Sequence, residues 1–232
     1  MTTRVVRSWT MSRPGSDRRC PLTVAVRATL IVALAVGAAG CMEGERPSFE
    51  DSPTVEGTMT GDPAIDAVLT RLDAVSDSVF TAGYTATLLF GGAVSSSTVS
   101  GDAAQTRQSV TIGNVRYISE ATGRRTCALD TLICEPEIQA AAVSNTGLTP
   151  DFAFGDMAKR LRRDAVARIG TATASNIELA GRTSTCVDVP VSGGTKQYCV
   201  FDNGVIARFA GADLTVDALT ITDVVDETLF TP

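Results

Sequence analysis

The chain has 232 residues, of which 26 are acidic and 20 basic, and it contains no histidine. A net charge of −6 argues against nucleic-acid binding, which depends on neutralising phosphates with Lys and Arg. The lack of histidine excludes catalytic triads and zinc sites that need an imidazole. The sequence also has no nucleophile elbow, phosphate-binding loop or dinucleotide-binding turn. We therefore expect a protein without enzymatic activity, cofactor or metal.

The first 40 residues form a basic leader that continues into an apolar run. The leader contains six arginines and one acidic residue, Asp17, and residues 28–40 carry no charge. That run is shorter than the roughly 20 apolar residues of a spanning helix, but it suits the core of a secretory signal. It ends in Ala38-Ala39-Gly40-Cys41, which resembles a bacterial lipoprotein signal, in which the cysteine receives the lipid. An ordinary secretory signal, with Cys41 incidental, is the alternative.

We accordingly predict a signal peptide over residues 1–40, with translation starting at Met1 or Met11, and lipidation of Cys41. Residues 41–62 are rich in Glu, Asp, Pro and Gly and poor in apolar side chains, which is typical of a flexible tether. The folded domain is expected over residues 63–232. The lipid on Cys41 would attach the domain to its partner, the cell membrane, at the extracytoplasmic face.

A helix is predicted to begin at Asp62-Pro63, because Asp is a favourable N-cap and Pro a favourable first helical residue. Apolar residues then recur at helical spacing, which indicates an amphipathic helix of about five turns. They are Ile65, Val68, Leu69, Leu72, Val75 and Val79.

After Gly83 the pattern changes to an alternation of period two, beginning with a strand over Tyr84–Phe90 and continuing in short strands separated by glycines. A second helix is predicted near Asp151–Val166. Further strands are predicted near Thr171–Leu179, Arg182–Val191, Thr195–Phe201, Val205–Ala210 and Leu214–Asp223. These elements indicate an α+β fold in which helices cover the concave face of a curved antiparallel sheet.

Once Cys20 has left with the leader and Cys41 is lipidated, four cysteines remain, which indicates disulfide bonds in an exported chain. If Ser192-Gly193 is a two-residue hairpin turn, Cys186 faces Cys199 across the two strands, at a distance that a disulfide can bridge. A Gly193-Gly194 turn would instead place Phe201 opposite Cys186.

Cys127 and Cys134 enclose only six residues and are expected to bond to each other. A redox-active or metal-binding pair is the alternative, but the spacing and the lack of a second pair disfavour it.

The chain resembles the lipoprotein-carrier (Lol-type) half-barrel superfamily, and within it the actinobacterial lipoproteins that carry glycolipids. The resemblance depends on the predicted lipidated cysteine, the acidic tether, the helix before the first strand and the C-terminal strands. These strands end in a tail that contains Asp226, Phe230 and Pro232. It implies a half-barrel with an apolar cavity between sheet and helices, suited to acyl chains.

Ten residues are candidates for lining such a cavity, and ordinary core packing is the alternative for each of them. They are Val68, Leu72, Leu88, Phe90, Phe154, Met157, Leu161, Val187, Val189 and Tyr198.

The second predicted helix and the residues after it carry the one basic cluster of the mature chain. It is expected either to be a solvated helix face, partly paired with Asp156 and Asp164, or to contact anionic lipid headgroups. Its members are Lys159, Arg160, Arg162, Arg163 and Arg168.

The sequence is compatible with two non-enzymatic functions. The first is a membrane-anchored lipoprotein that binds or carries a lipid or other hydrophobic ligand. The alternative is an envelope scaffold with a filled interior, no ligand and a protein partner that the sequence does not identify.

Overall fold

The computed structural model describes residues 57–232. The predicted signal peptide, Cys41 and most of the predicted tether lie outside these residues. Within them, no helix is long and apolar enough to cross a bilayer. The helices are α1 (Pro63–Asp73) and α2 (Met157–Val166). The strands are β1 (Val79–Leu88), β2 (Val94–Asp102), β3 (Arg107–Ile112), β4 (Val115–Glu120), β5 (Gly123–Ala128), β6 (Ile133–Pro136), β7 (Thr173–Leu179), β8 (Arg182–Val191), β9 (Gly194–Phe201), β10 (Ile206–Ala210) and β11 (Leu214–Thr222).

All eleven strands belong to one antiparallel sheet with the order β6-β5-β4-β3-β2-β1-β11-β10-β9-β8-β7. Both halves of the sheet are meanders, and the pairing of β1 with β11 joins them. Helix α1 packs against β7, β8 and β9, and α2 packs against α1 and β8. The predicted α+β class, a curved antiparallel sheet with helices on one face, is confirmed. We call the helix-bearing side the inner face.

Helix α1 begins as predicted but is shorter. Asp62 is the N-cap, and its carboxylate accepts a hydrogen bond of 3.0 Å from the Ala64 backbone N–H. The helix ends at Asp73 and is followed by a short 3-10 turn, so the expected five-turn helix is wrong. The turn between β9 and β10 packs against this end of α1, where a Cβ on Gly204 would lie 2.4 Å from the Arg71 carbonyl oxygen. Only glycine permits this approach.

Replacing Asp62 with alanine should destabilise the domain by about 1 kcal/mol, the usual value of an N-cap. Burial opposes ionisation of Asp62, but hydrogen bonds from Arg168 and from backbone N–H groups outweigh it, so its pKa lies below the usual value. The stabilisation is therefore present above the usual carboxyl range and is lost as the pH falls below about 4. Urea denaturation at pH 7 and pH 3 measures this. Asp77→Ala, at an exposed position, should have no such effect.

Strand β1 begins five residues earlier and ends two residues earlier than predicted. Gly83, expected to precede the strand, lies within it, where a Cβ would be 2.8 Å from the hydroxyl oxygen of Thr220 on β11. Leu89 and Phe90 lie in the turn after β1, and Phe90 is 82% exposed. The predictions that Phe90 belongs to the strand and lines an interior cavity are therefore both wrong.

The remaining helix and strand predictions agree closely with the structure. Strand β8 has the predicted bounds, and β7, β9, β10 and β11 differ from prediction by one or two residues. The predicted second helix consists of a π-helical turn over Phe152–Asp156 followed by α2.

Both predicted disulfide bonds are present. In the β8–β9 hairpin Val191 pairs with Gly194 and Cys186 with Cys199, so Ser192-Gly193 is the turn and the alternative register is excluded. Cys127 on β5 pairs with Cys134 on β6 in the same way. In each pair the Cα atoms are 4.0 Å apart, so each bond joins directly opposite residues of neighbouring strands.

The C-terminal tail crosses the outer face of the sheet, a feature that the sequence analysis did not predict. Tyr117 on β4 belongs to the main core, whereas its neighbour Ile118 points to the opposite face and contacts the tail. Leu229 and Phe230 are buried in this second cluster, and the Arg107 guanidinium lies 4.2 Å from the centre of the Phe230 ring. The tail therefore covers the outer face of the half of the sheet that carries no helix.

Candidate functional site

The predicted cavity residues are mostly part of a packed core. Two of them, Leu88 and Phe154, are half-buried against it, and Phe90 is outside it. The other seven are at most 3% exposed: Val68, Leu72, Met157, Leu161, Val187, Val189 and Tyr198. The interior between the helices and strands β7–β11 is consequently filled by these side chains.

Aromatic rings and one polar network complete this core. The Tyr198 and Phe209 rings lie 5.0 Å apart between centres. The Tyr198 hydroxyl donates to the buried Asp164 carboxylate, which also receives the Lys196 ammonium at 2.7 Å. Burial, together with the hydrogen bond to Asp164, raises the pKa of Tyr198. These bonds attach α2 to β9, so Asp164 does not pair with the basic cluster as the sequence analysis proposed.

An open cleft lies on the inner face of the other half of the sheet, between strands β3–β5 and the segment 150–159. It consists of four adjoining hollows of about 50, 190, 390 and 560 Å³, all of which are lined by Arg124. We call it the Arg124 cleft. Gln108 and Asp151 also line the cleft, and neither they nor Arg124 were predicted from the sequence as site residues.

The lining of the Arg124 cleft combines apolar and polar residues. Val110, Tyr117, Ile138 and Phe154 form the apolar part. The polar part begins with a row across three strands, in which Gln108 on β3 pairs with Ser119 on β4, and Ser119 pairs with Arg124 on β5. Phe154 is thus the one predicted cavity residue that borders this cleft.

Two cations of the cleft have no anionic partner among residues 57–232. Arg124 and Lys159 are both exposed, and neither forms an ion pair with a described residue. The neighbouring Arg125 has the opposite orientation: it pairs with Glu120 and donates to the Phe230 carbonyl on the outer face. Successive side chains of a strand point to opposite faces, so Arg124 lies in the cleft and Arg125 contacts the C-terminal tail.

Arg162 is not part of a solvated basic face. Its side chain is 1% exposed, pairs with Asp73 of α1 and donates a hydrogen bond of 2.9 Å to the Thr58 carbonyl. One guanidinium nitrogen, Nη1, and the Asp73 oxygen Oδ1 have no hydrogen-bond partner within the described residues. Both residues border the 190 Å³ hollow of the cleft.

The basic cluster as a whole is dispersed. Arg168 pairs with Asp62 at the start of α1, and Arg160 lies over the Phe209 ring at 4.9 Å. The expected partner Asp156 instead accepts a hydrogen bond from Thr149. Arg162 and Arg168 therefore hold the N-terminal segment and α1 against α2, whereas Lys159 reaches the cleft.

Among residues 57–232 there is no group of three or more Cys, Asp or Glu side chains that could hold a metal ion.

Known proteins resemble this chain in their three-dimensional structure but not in their sequence. No protein-family model and no curated protein matches the sequence. The MucA/MucB complex of Pseudomonas aeruginosa is similar at 12% identity and a TM-score of 0.48, covering 73% of this chain and 60% of that one. A crystal structure of MucB has 11% identity and a TM-score of 0.41, covering 74% and 64%. An uncharacterised conserved protein from Thermus thermophilus has 8% identity and a TM-score of 0.39, covering 70% and 90%. These values are too low to assign a family.

Proposed function

We propose that this protein is an exported lipoprotein, anchored through Cys41 to the extracytoplasmic face of the cell membrane, which binds a lipid or other amphipathic ligand. The observation that carries the proposal is the Arg124 cleft, whose lining combines apolar residues with two cations that lack partners among the described residues. The protein acts without catalysis, as the lack of histidine and of catalytic motifs supports.

The cleft suits a ligand with an apolar and an anionic part. Each buried methylene contributes about 0.8 kcal/mol, so a short acyl segment against Ile138 and Phe154, the half-buried apolar residues of the lining, gains affinity without specific contacts. An anionic headgroup would lie against Arg124 and Lys159, which fixes its orientation. Because α1 and α2 fill the β7–β11 half, the ligand occupies the β3–β5 half of the sheet.

Ligand binding can be tested by extracting the purified protein with organic solvent, identifying co-purified lipids by mass spectrometry and measuring uptake of a fluorescent fatty acid. Arg124→Glu should weaken fatty-acid binding roughly 10- to 100-fold, the effect of losing one charged hydrogen bond of about 1.5–3 kcal/mol. Arg163→Glu, an exposed change on α2 outside the lining of the cleft, should leave binding unchanged. Equal effects of the two substitutions would contradict the assignment to the cleft.

The anchor has a separate test. Metabolic labelling with palmitate should mark the protein, and Cys41→Ala should abolish the label and release the protein from the membrane fraction. Cys20→Ala is the matched control, because Cys20 lies in the predicted leader and its loss should change neither result. A Cys41→Ala protein that stays on the membrane would refute the lipid anchor.

A partner-binding envelope protein without a ligand is the second candidate, and the packed core favours it. Seven of the ten residues expected to line a cavity fill the interior instead. In this case no lipid would co-purify, fatty-acid uptake would be absent, and Arg124→Glu would change only the binding of a protein partner.

A further inference from the structure

Exposed apolar side chains are concentrated at one rim of the sheet. This rim consists of the turns 89–93, 113–114, 129–132, 192–193 and 211–213, together with the connection 167–172 from α2 to β7; we call it the tip rim. Of eleven exposed large apolar side chains among the described residues, four lie in these segments and two are the first residues of the strands that follow them, β2 and β6. They are Leu89 (52% exposed), Phe90 (82%), Val94 (65%), Leu132 (64%), Ile133 (61%) and Ile169 (73%).

The antiparallel topology places these turns together. Alternate strands of a meander end at the same edge, so the turns after β1, β3, β5, β8 and β10 share the tip rim. Backbone hydrogen bonds connect them: the Leu89 N–H donates to the Asp213 carbonyl, and the Leu129 N–H donates to the Asn114 carbonyl. The Ile169 N–H likewise donates to the Pro190 carbonyl at the end of β8.

The tip rim also carries little charge. The turns 89–93, 113–114 and 192–193 contain no charged residue, and Asp130 and Asp213 are the acidic residues of the other two hairpin turns. The connection 167–172 carries Arg168, whose charge is paired with Asp62. By contrast, Asp102, Arg182 and Asp223 lie at or beside turns of the opposite rim. Moving the tip rim out of water therefore costs less desolvation of charged groups.

We propose that the tip rim docks on a lipid bilayer, with the apolar turn residues inserted into its interfacial region. A bilayer fits better than a protein groove because the apolar tips are separated. The β1–β2 and β5–β6 turns are four strand spacings apart, or about 19 Å, and a flat, deformable surface can contact both. The proposal goes beyond the proposed function but rests on it, since the anchor supplies the membrane.

The position of the N-terminal segment is compatible with this orientation. Asp62 pairs with Arg168, which forms a β-bridge with Val191 at the tip rim. The 15 residues between Cys41 and Gly57 can extend to about 50 Å at most, so the tether permits the rim to reach the membrane that holds the lipid.

The inner face near the tip rim is also apolar. A hollow of about 340 Å³ lies between strands β4–β6 and Ala142, lined in part by Val115, Ala128 and Ile133. Arg124 lies on the same face near the opposite end of β5. A ligand that enters from the bilayer would therefore meet apolar residues first and the cations of the Arg124 cleft last.

The test uses tryptophan as a depth probe, since the only tryptophan of the chain is in the predicted leader. Phe90→Trp and Val224→Trp are each made in the full lipidated chain and reconstituted into phosphatidylcholine vesicles, with or without brominated acyl chains. Both positions are exposed, but Val224 lies beyond β11 at the opposite rim. The Phe90→Trp emission should shift to the blue and be quenched about twofold or more, as expected for insertion about 5–10 Å into the headgroup boundary. The Val224→Trp emission should not change.

Three results would overturn the proposal: no quenching of the Phe90→Trp variant, equal quenching of both variants, or a blue shift that needs no lipid and grows with protein concentration. The last would assign the rim to self-association. Mass measurement of the same sample shows whether Cys41 is lipidated. A lipidated protein whose Phe90→Trp emission is not quenched therefore refutes the docking proposal alone, whereas an unlipidated protein refutes the anchor.

Discussion

Replacing Arg162 with methionine should lower the free energy of unfolding by about 3–5 kcal/mol, the cost of removing one partner from a buried ion pair. The substitution leaves the Asp73 carboxylate, whose side chain is only 16% exposed, without its cation. It also removes the hydrogen bond from Arg162 to the Thr58 carbonyl. Urea denaturation of the purified, oxidised protein, followed by far-ultraviolet circular dichroism, measures the change.

Two further variants show whether the ion pair is the cause. Arg163→Met changes the next residue of α2, which is exposed, and should alter stability by no more than about 0.5 kcal/mol. The double variant Arg162→Met with Asp73→Leu should recover part of the lost free energy of unfolding, because it leaves no unpaired charge at this buried position. If the double variant is as unstable as the sum of the single variants, the two side chains are not energetically coupled.

Removing the disulfide between Cys186 and Cys199 by a double alanine substitution should cost about 3 kcal/mol, because the bond closes a 14-residue loop of the unfolded chain. For a domain of this size the melting temperature should fall by about 6–12 °C. Both cysteines are fully buried, so mild reductant should reach the bond slowly in the native protein. Thermal unfolding in the absence of reductant gives the comparison.

The disulfide between Cys127 and Cys134 is an internal reference for this measurement. It closes a loop of eight residues, so its removal should cost about 0.5 kcal/mol less by the same loop-closure argument. A much larger loss for this second pair would show that its contact with the C-terminal tail, and not loop closure, dominates its contribution.

Local patterns predicted the hairpins well. The Ser192-Gly193 turn set the register of β8 and β9 and therefore the Cys186–Cys199 pair, because a hairpin register follows from its turn. The start of α1 at Asp62 followed in the same way from the chemistry of a helix cap.

Features that depend on distant residues were not predicted. Arg162 is buried because Asp73 and the Thr58 carbonyl, about 90 and 100 residues away in the chain, form its partners. A period-3.6 pattern does not identify such partners. The prediction for Phe90 was wrong for a related reason. An apolar residue at the end of an alternating run is expected to continue the strand, but β1 ends at Leu88.

The Arg124 cleft was also missed, because adjacent arginines are equivalent in sequence. Only the pairing of β4 with β5 shows that Arg124 shares a face with Ser119, while Arg125 shares one with Ile118 and the tail. The sequence predicted a ligand cavity beneath the helices, whereas the cleft proposed to bind a ligand lies on the half of the sheet formed by β3–β5.

The pairing of β1 with β11 has a consequence for biogenesis. It joins residues about 130 positions apart, from Leu88 with Leu214 to Thr81 with Thr222, whereas most other strand pairs are between near neighbours in the chain. If the polypeptide is threaded across the membrane from its N-terminus, β1 emerges long before its second partner and presents an unpaired hydrogen-bonding edge in the meantime. We expect folding to wait for the final strand, so that chains that end before Leu214 should not reach the native sheet.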